Sequence, residues 1–121
     1  MSIEENKANV RRQIEEMWNK GNLDLAEEFF TPDFVSHDPF SSEEIRGPEG
    51  FKQYVATSRA SFPDLHMRIE DQIAEGDRVA TRYVISGTQE GEVQGMPASS
   101  KRIEVSGTGI DRISGGKYAE S

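Results

Sequence analysis

Residues 65–88 read LHMRIEDQIAEGDRVATRYVISGT, and the period of this stretch decides the fold. Leu65, Met67 and Ile69 alternate with His66, Arg68 and Glu70, the period of two that belongs to a strand. Glu75-Gly76-Asp77 is a turn signal. Beyond it Val79, Thr81, Tyr83 and Ile85 fall on one face of a longer strand, and Ala80, Arg82, Val84 and Ser86 on the other. Neither face is wholly polar, so helices are expected against one, and a partner or another part of the chain against the other. Gly91 and Gly95-Met96-Pro97 punctuate the connection to a further strand from Arg102 to Ile113, and Gly115-Gly116 turns into a last extended stretch, Lys117 to Glu120. Gly107 and Gly109 share one strand face, a placement that marks a bend or the close approach of a ligand.

Upstream of this stretch the period is helical. Ser2 and Glu5 have capping-box spacing, and Val10, Ile14, Met17 and Trp18 recur at helical intervals, which predicts a helix to about Lys20, with Gly21 ending it. A short second helix carries Leu23, Leu25, Ala26, Phe29 and Phe30 and stops at Pro32. Phe34-Val35 is then a short extended piece. Gly47-Pro48 opens a third helix through Phe51, Tyr54, Val55 and Ser58 toward Phe62-Pro63. Helices followed by antiparallel strands give an α+β fold, with three N-terminal helices packed on one face of a curved sheet that could wrap an internal cavity.

Composition narrows the function classes. The 121 residues make one domain, 1–121, with 14 Lys and Arg against 22 Asp and Glu and a formal charge of −8. That balance, without any cluster of basic residues, argues against nucleic acid and against anionic membrane surfaces. The absence of cysteine removes disulfides, thiolate nucleophiles and Cys-based zinc sites. Two histidines without a third ligand at a recognised spacing make no metal site, so none is expected. The N-terminus is polar and acidic where a secretion signal would be cationic and then apolar, and no apolar run approaches the ~20 residues that span a bilayer, so a cytoplasmic location is expected.

Several residues could carry chemistry. Asp38, in His37-Asp38-Pro39, could abstract a proton alpha to a carbonyl if burial raised its pKa, with His37 orienting it; the same letters also write an ordinary Asx turn. Asp64, in Phe62-Pro63-Asp64, could face the same cavity, or accept backbone N–H groups where helix gives way to sheet. Arg82, on a largely apolar strand, calls for an anionic partner, with Asp111 and Glu104 available, or for a substrate oxygen. Gly107-Thr108-Gly109 lies within a strand and is not a phosphate loop.

The order of motifs is recognisable. Trp18-Asn19-Lys20-Gly21-Asn22-Leu23-Asp24, then residues Phe29 through Pro39, Gly47-Pro48-Glu49-Gly50, Phe62-Pro63-Asp64, Glu75 through Val79 with Arg82, Gly87-Thr88 and Gly116-Lys117 resemble the SnoaL-like polyketide cyclase family. That family lies within the superfamily of nuclear transport factor 2 and ketosteroid isomerase. The resemblance implies a cone of three helices and a strongly bent antiparallel sheet around an apolar pocket, in a homodimer built through the sheets. It implies aldol-type ring closure, or isomerisation, of a small hydrophobic carbonyl compound, with an acidic residue for proton transfer and no metal or organic cofactor. Asp38 matches the position of the isomerase general base. The two isomerase oxyanion donors fall at Ile14 and Gly109, which cannot polarise a carbonyl, so steroid isomerisation is not expected. The cyclase acid maps near Gly109, with Asp111 available two residues on, on the same face. An epoxide-hydrolase reading fails because Val84 stands where an aspartate is needed after Arg82.

The expected catalytic set is Asp38 as the proton-transfer residue, His37 tuning or sharing that role, Arg82 and Asp64 polarising or orienting the substrate, and Asp111 as the available replacement for the cyclase acid. Trp18, Phe30, Phe34, Phe51, Tyr54 and Tyr83 are expected to line the ligand pocket. A non-catalytic module, which binds a small ligand or only dimerises, is the alternative favoured by the missing donors.

Overall fold

The periods read from the sequence translate into helices first and strands after in a computed structural model, which describes residues 2–37, 44–91 and 100–121. Helix α1 (Ile3–Gln13) starts from a full capping box, with the Ser2 side chain accepting from the Glu5 N–H and Glu5 reaching back to the Ser2 N–H. The helix then widens. Residues Ile14–Asn19 form a π-helical turn in which the Lys20 N–H reaches back to the Glu15 carbonyl. Asn19 locks this end onto the sheet, its amide donating to the Met67 carbonyl at 3.0 Å and accepting from the Met67 N–H at 2.8 Å.

The second helical segment is shorter than its pattern suggests. A 3₁₀ turn (Leu23–Leu25) leads into α2 (Ala26–Phe29), and strand β1 (Phe30–Ser36) already begins at Phe30 and runs through Pro32. The helix thus ends three residues before Pro32, which lies inside the strand rather than at the helix end. The proline's missing N–H coincides with the irregular register of β1 against the last strand, between Phe30 and Val35. After the short strand β2 (Ile45–Arg46) comes α3 (Gly47–Ser61), with Pro48 in its first turn.

Strands β3 (His66–Glu75), β4 (Arg78–Thr88), β5 (Arg102–Ser114) and β6 (Lys117–Glu120) complete one six-stranded sheet in the order β2-β1-β6-β5-β4-β3. Two expectations need correction. The sheet is mixed, because β1 runs parallel to β6; most of the chain intervenes between them, and a parallel pair requires a long crossover of this kind. Nor is the sheet strongly curled. The long β4–β5 ladder holds one register from Arg78↔Arg112 to Thr88↔Arg102, while the irregularities fall in the flanking ladders, between Ile69 and Asp71 of β3 and between Arg112 and Ile113 of β5.

The core lies between the helices and the inner face of the sheet. Val10, Met17, Phe30, Phe34, Val55 and Val79 are almost wholly buried there, and Thr81 joins Val79 on the same face of β4. No described helix is long and apolar enough to cross a membrane.

Candidate active site

Asp111 lies on β5 opposite Val79, so strand parity points it toward the inner, helix-covered face. It is half-buried, and burial pushes its carboxyl up to about 6, with the Ser121 hydroxyl pulling partly back. That hydroxyl donates to Asp111 Oδ1 at 2.5 Å. On the neighbouring strand, Tyr118 is 4% exposed and pairs with Ile113, two residues along from Asp111 on the same face of β5, with a bulge in the β5–β6 ladder between them. Its hydroxyl is buried without a hydrogen-bond partner. Burial, reinforced by the charge of Asp111, holds the phenol well above its usual range and therefore protonated.

Two residues before Asp111, on the same face, Gly109 leaves the strand bare: a Cβ there would meet only Tyr83 Cε1, at 3.8 Å. At Gly107 the space is already filled, since a Cβ would strike Tyr83 Cε2 at 2.9 Å. The paired glycines thus serve different ends. One accommodates the Tyr83 ring and the other leaves open floor between that ring and the Asp111 carboxyl.

The remaining sequence candidates divide. His37 joins the Asp111 end of the sheet through Ser121, whose carbonyl accepts from the His37 N–H at 2.9 Å. The imidazole itself is taken up by carboxylates, with Nε2 at 2.9 Å from Glu120 and Nδ1 at 3.1 Å from Glu44. The His37 contact, followed by Arg112 Nε at 3.4 Å, holds Glu120 below the usual carboxylate range. Asp38 lies outside the described residues.

Asp64 sits at the far end of β4. It accepts from the Thr88 N–H at 2.6 Å and the Thr88 hydroxyl at 2.9 Å, which lowers its pKa, and it is the turn acceptor that its position after Pro63 allows. The β4–β5 register places Thr88 nine residues from Val79, the neighbour of Asp111, or roughly 30 Å of strand, so Asp64 does not share a site with Asp111. Arg82 is exposed on the face opposite Tyr83 and forms no ion pair with Asp111 or Glu104. Parity gives the reason for Asp111: Val79 and Asp111 face inward, and Arg82 outward.

Five of the six expected pocket residues come together. Phe30 lies 4.6 Å from Phe34, 4.4 Å from Phe51 and 5.1 Å from Tyr118 between ring centroids, and Trp18 packs edge-on against Phe51 and Tyr54. Tyr83 lies on β4 over Gly107, at the partly buried margin of the same core. A separate open groove of about 520 Å³ runs between α1 and β3, walled by Arg11, Ile14, Asn19, His66 and Gln72 among others.

The order of elements and the inward acid on β5 can be set against known proteins. Residues 8–121 match the model of the SnoaL-like polyketide cyclases. The chain belongs to that family. Among its curated relatives is the aklanonic acid methyl ester cyclase DnrD of Streptomyces peucetius, 31% identical over 117 residues, covering 92% of this chain and 77% of the relative. The fold closely matches a crystal structure of a candidate SnoaL-like polyketide cyclase from Jannaschia sp. CCS1, with TM-score 0.87 and 28% identity over 99% of this chain and 85% of the other. It also matches IdmH of Streptomyces antibioticus, a candidate polyketide cyclase, with TM-score 0.81 and 28% identity over 95% and 87% of the two chains. Polyketide cyclisation is thus the chemistry for which the family is named, and ester cyclase the activity named for the Streptomyces peucetius relative.

Tyr118 is the functional candidate that sequence reasoning missed. A tyrosine in a terminal strand looks like any core aromatic, and only the coordinates show that its hydroxyl has no acceptor.

Proposed function

We propose that this SnoaL-like protein closes a ring in a hydrophobic polyketide-type carbonyl compound by intramolecular aldol condensation, with Asp111 as the proton-transfer group. The observation that carries the reading is the half-buried Asp111 carboxyl, raised to about 6 beside bare strand at Gly109. A carboxylate poised near neutrality is suited to take a proton alpha to a carbonyl and return it, because its basicity then matches the working pH. In the forward step Asp111 accepts the α-proton, the enolate carbon attacks a second carbonyl of the same molecule, and the new alkoxide recovers the proton from Asp111. Isomerisation would use the same first step with return of the proton to a different carbon.

The relatives' name, aklanonic acid methyl ester cyclase, supports an aromatic polyketide ester as the substrate class to test first. Trp18, Phe51, Tyr54 and Tyr83 are proposed to hold its rings in an apolar pocket under the helices. Asp38 is proposed as a second base, supported by its sequence context. A homodimer through the outer face is also proposed, since Ile73 and Ile110 flank Ala80 across three strands there and are 68% and 59% exposed. The cellular location proposed is cytoplasmic.

The test is conversion of aklanonic acid methyl ester by the wild type, Asp111→Asn and Asp38→Asn, followed by chromatography of the ring-closed product. Asp111→Asn is expected to lose roughly 10²–10⁴-fold in rate. Wild-type turnover by Asp111→Asn removes it from the mechanism.

A second reading is a non-catalytic module that binds a small ligand or only dimerises. The mutual packing of Trp18, Phe30, Phe34 and Phe51 favours it, because rings that bury one another leave less surface for a ligand. Binding of the ester without conversion would establish it.

A further inference from the structure

Interior polar groups are almost always paired, and a buried hydroxyl without a partner costs ~1–3 kcal/mol relative to one that is satisfied. The Tyr118 hydroxyl is such a group, on a side chain 4% exposed. Its ring is fixed by Phe30, with centroids 5.1 Å apart, and by the pairing of β6 with both β5 and β1. It lies on the inner face of β6 opposite Ile113, across a bulge from Asp111, and near enough to feel that carboxylate's charge. Among the described residues, the Ser121 hydroxyl from the end of β6 and the apolar Val79 from β4 face Asp111. Arg112, the next residue on β5, pairs with Glu120 on the opposite face.

We infer that the Tyr118 hydroxyl is the hydrogen-bond donor to the substrate carbonyl oxygen as that oxygen becomes an enolate. In a carbonyl compound the oxygen sits one bond beyond the carbon next to the acidic C–H. A base and a donor presented on one face by neighbouring strands can therefore engage both ends of the unit at once. Asp111 takes the α-proton; Tyr118 holds the developing negative charge without giving up its own proton, because burial keeps the phenol protonated. The bare strand at Gly109 lies beside Asp111 on the same face of β5.

This inference rests on Asp111 as the base, so the test separates the two. The probe is 2-naphthol, a planar phenol whose hydroxyl stands in for the enol, with binding followed by its fluorescence in the wild type, Tyr118→Phe and Asp111→Asn. Tyr118→Phe is expected to bind it at least about tenfold more weakly, while melting at or above the wild-type temperature, because the change removes an unsatisfied hydroxyl and keeps the ring. With aklanonic acid methyl ester, Tyr118→Phe should lose ~10²–10³ in kcat with little change in KM. Equal naphthol binding by the wild type and Tyr118→Phe, or no binding by the wild type, overturns the assignment. If Asp111→Asn turns over normally while Tyr118→Phe binds naphthol weakly, the base has been misassigned and the donor stands.

Discussion

The Tyr83 ring lies so close over Gly107 that a Cβ on that glycine would sit 2.9 Å from the ring edge. The two residues face each other across the β4–β5 ladder, so the missing side chain on one strand makes room for the large one on the next. Gly107→Ala must therefore push the ring aside, at a cost of ~1–3 kcal/mol in urea unfolding. In a Tyr83→Ala background the same change should cost much less, and a cycle of the four proteins measures the difference. Additive effects would show that the ring does not rest on the glycine.

Asp111 sets a pH dependence. Its folded pKa, about 6, is above its ordinary value of 3.8, so the folded state holds the proton more tightly. The contribution is fully present below the unfolded pKa and is lost as pH rises through the folded one. The gap amounts to about 3 kcal/mol lost between about pH 4 and pH 7. Asp111→Asn should flatten stability across that window, as read from urea midpoints. In the wild type kcat/KM should climb as pH rises through about 6, because the base must be ionised.

Asp64 has the opposite sign. The Thr88 N–H and hydroxyl favour its charged form, so its stabilising effect is present above the ordinary aspartate pKa and is lost as pH falls through the lowered one. Asp64→Asn should lower the urea midpoint near pH 7 and narrow its deficit against the wild type in strong acid. Cyclase turnover should change little, since the residue holds a chain reversal distant from Asp111.

Phe30 is the ring on which the interior converges, touching Phe34, Phe51 and Tyr118 while only 1% exposed. Phe30→Ala should cost ~3–5 kcal/mol, and Phe30→Leu distinctly less, in the same denaturation assay. A loss below about 1 kcal/mol for the alanine variant would mean that the cluster collapses to refill the space.

The sequence makes much of this architecture legible. The period of two over 65–88, the capping box at Ser2 and the Pro48 start of α3 each correspond to a local physical cause and to an observed element. Phe30 was harder, because it continues a helical pattern yet begins β1, where tertiary pairing with Tyr118 overrides local preference. Arg82 and Asp111 were readable as charged residues on strands, but their faces depend on the β4–β5 register, which no local pattern sets. Tyr118 was invisible as a donor, since whether a hydroxyl is satisfied depends on every neighbour that packs around it.

The Asn19 amide, bound to both the N–H and the carbonyl of Met67, has a consequence for life in a crowded cell. Strand β3 ends the sheet, and such a margin is a template on which a foreign chain can add itself and seed aggregates. A single side chain, held in place where Arg59 anchors the end of its helix, imitates one rung of a neighbouring strand there. The helix thereby guards the sheet against fibre-like self-assembly without the expense of an added strand.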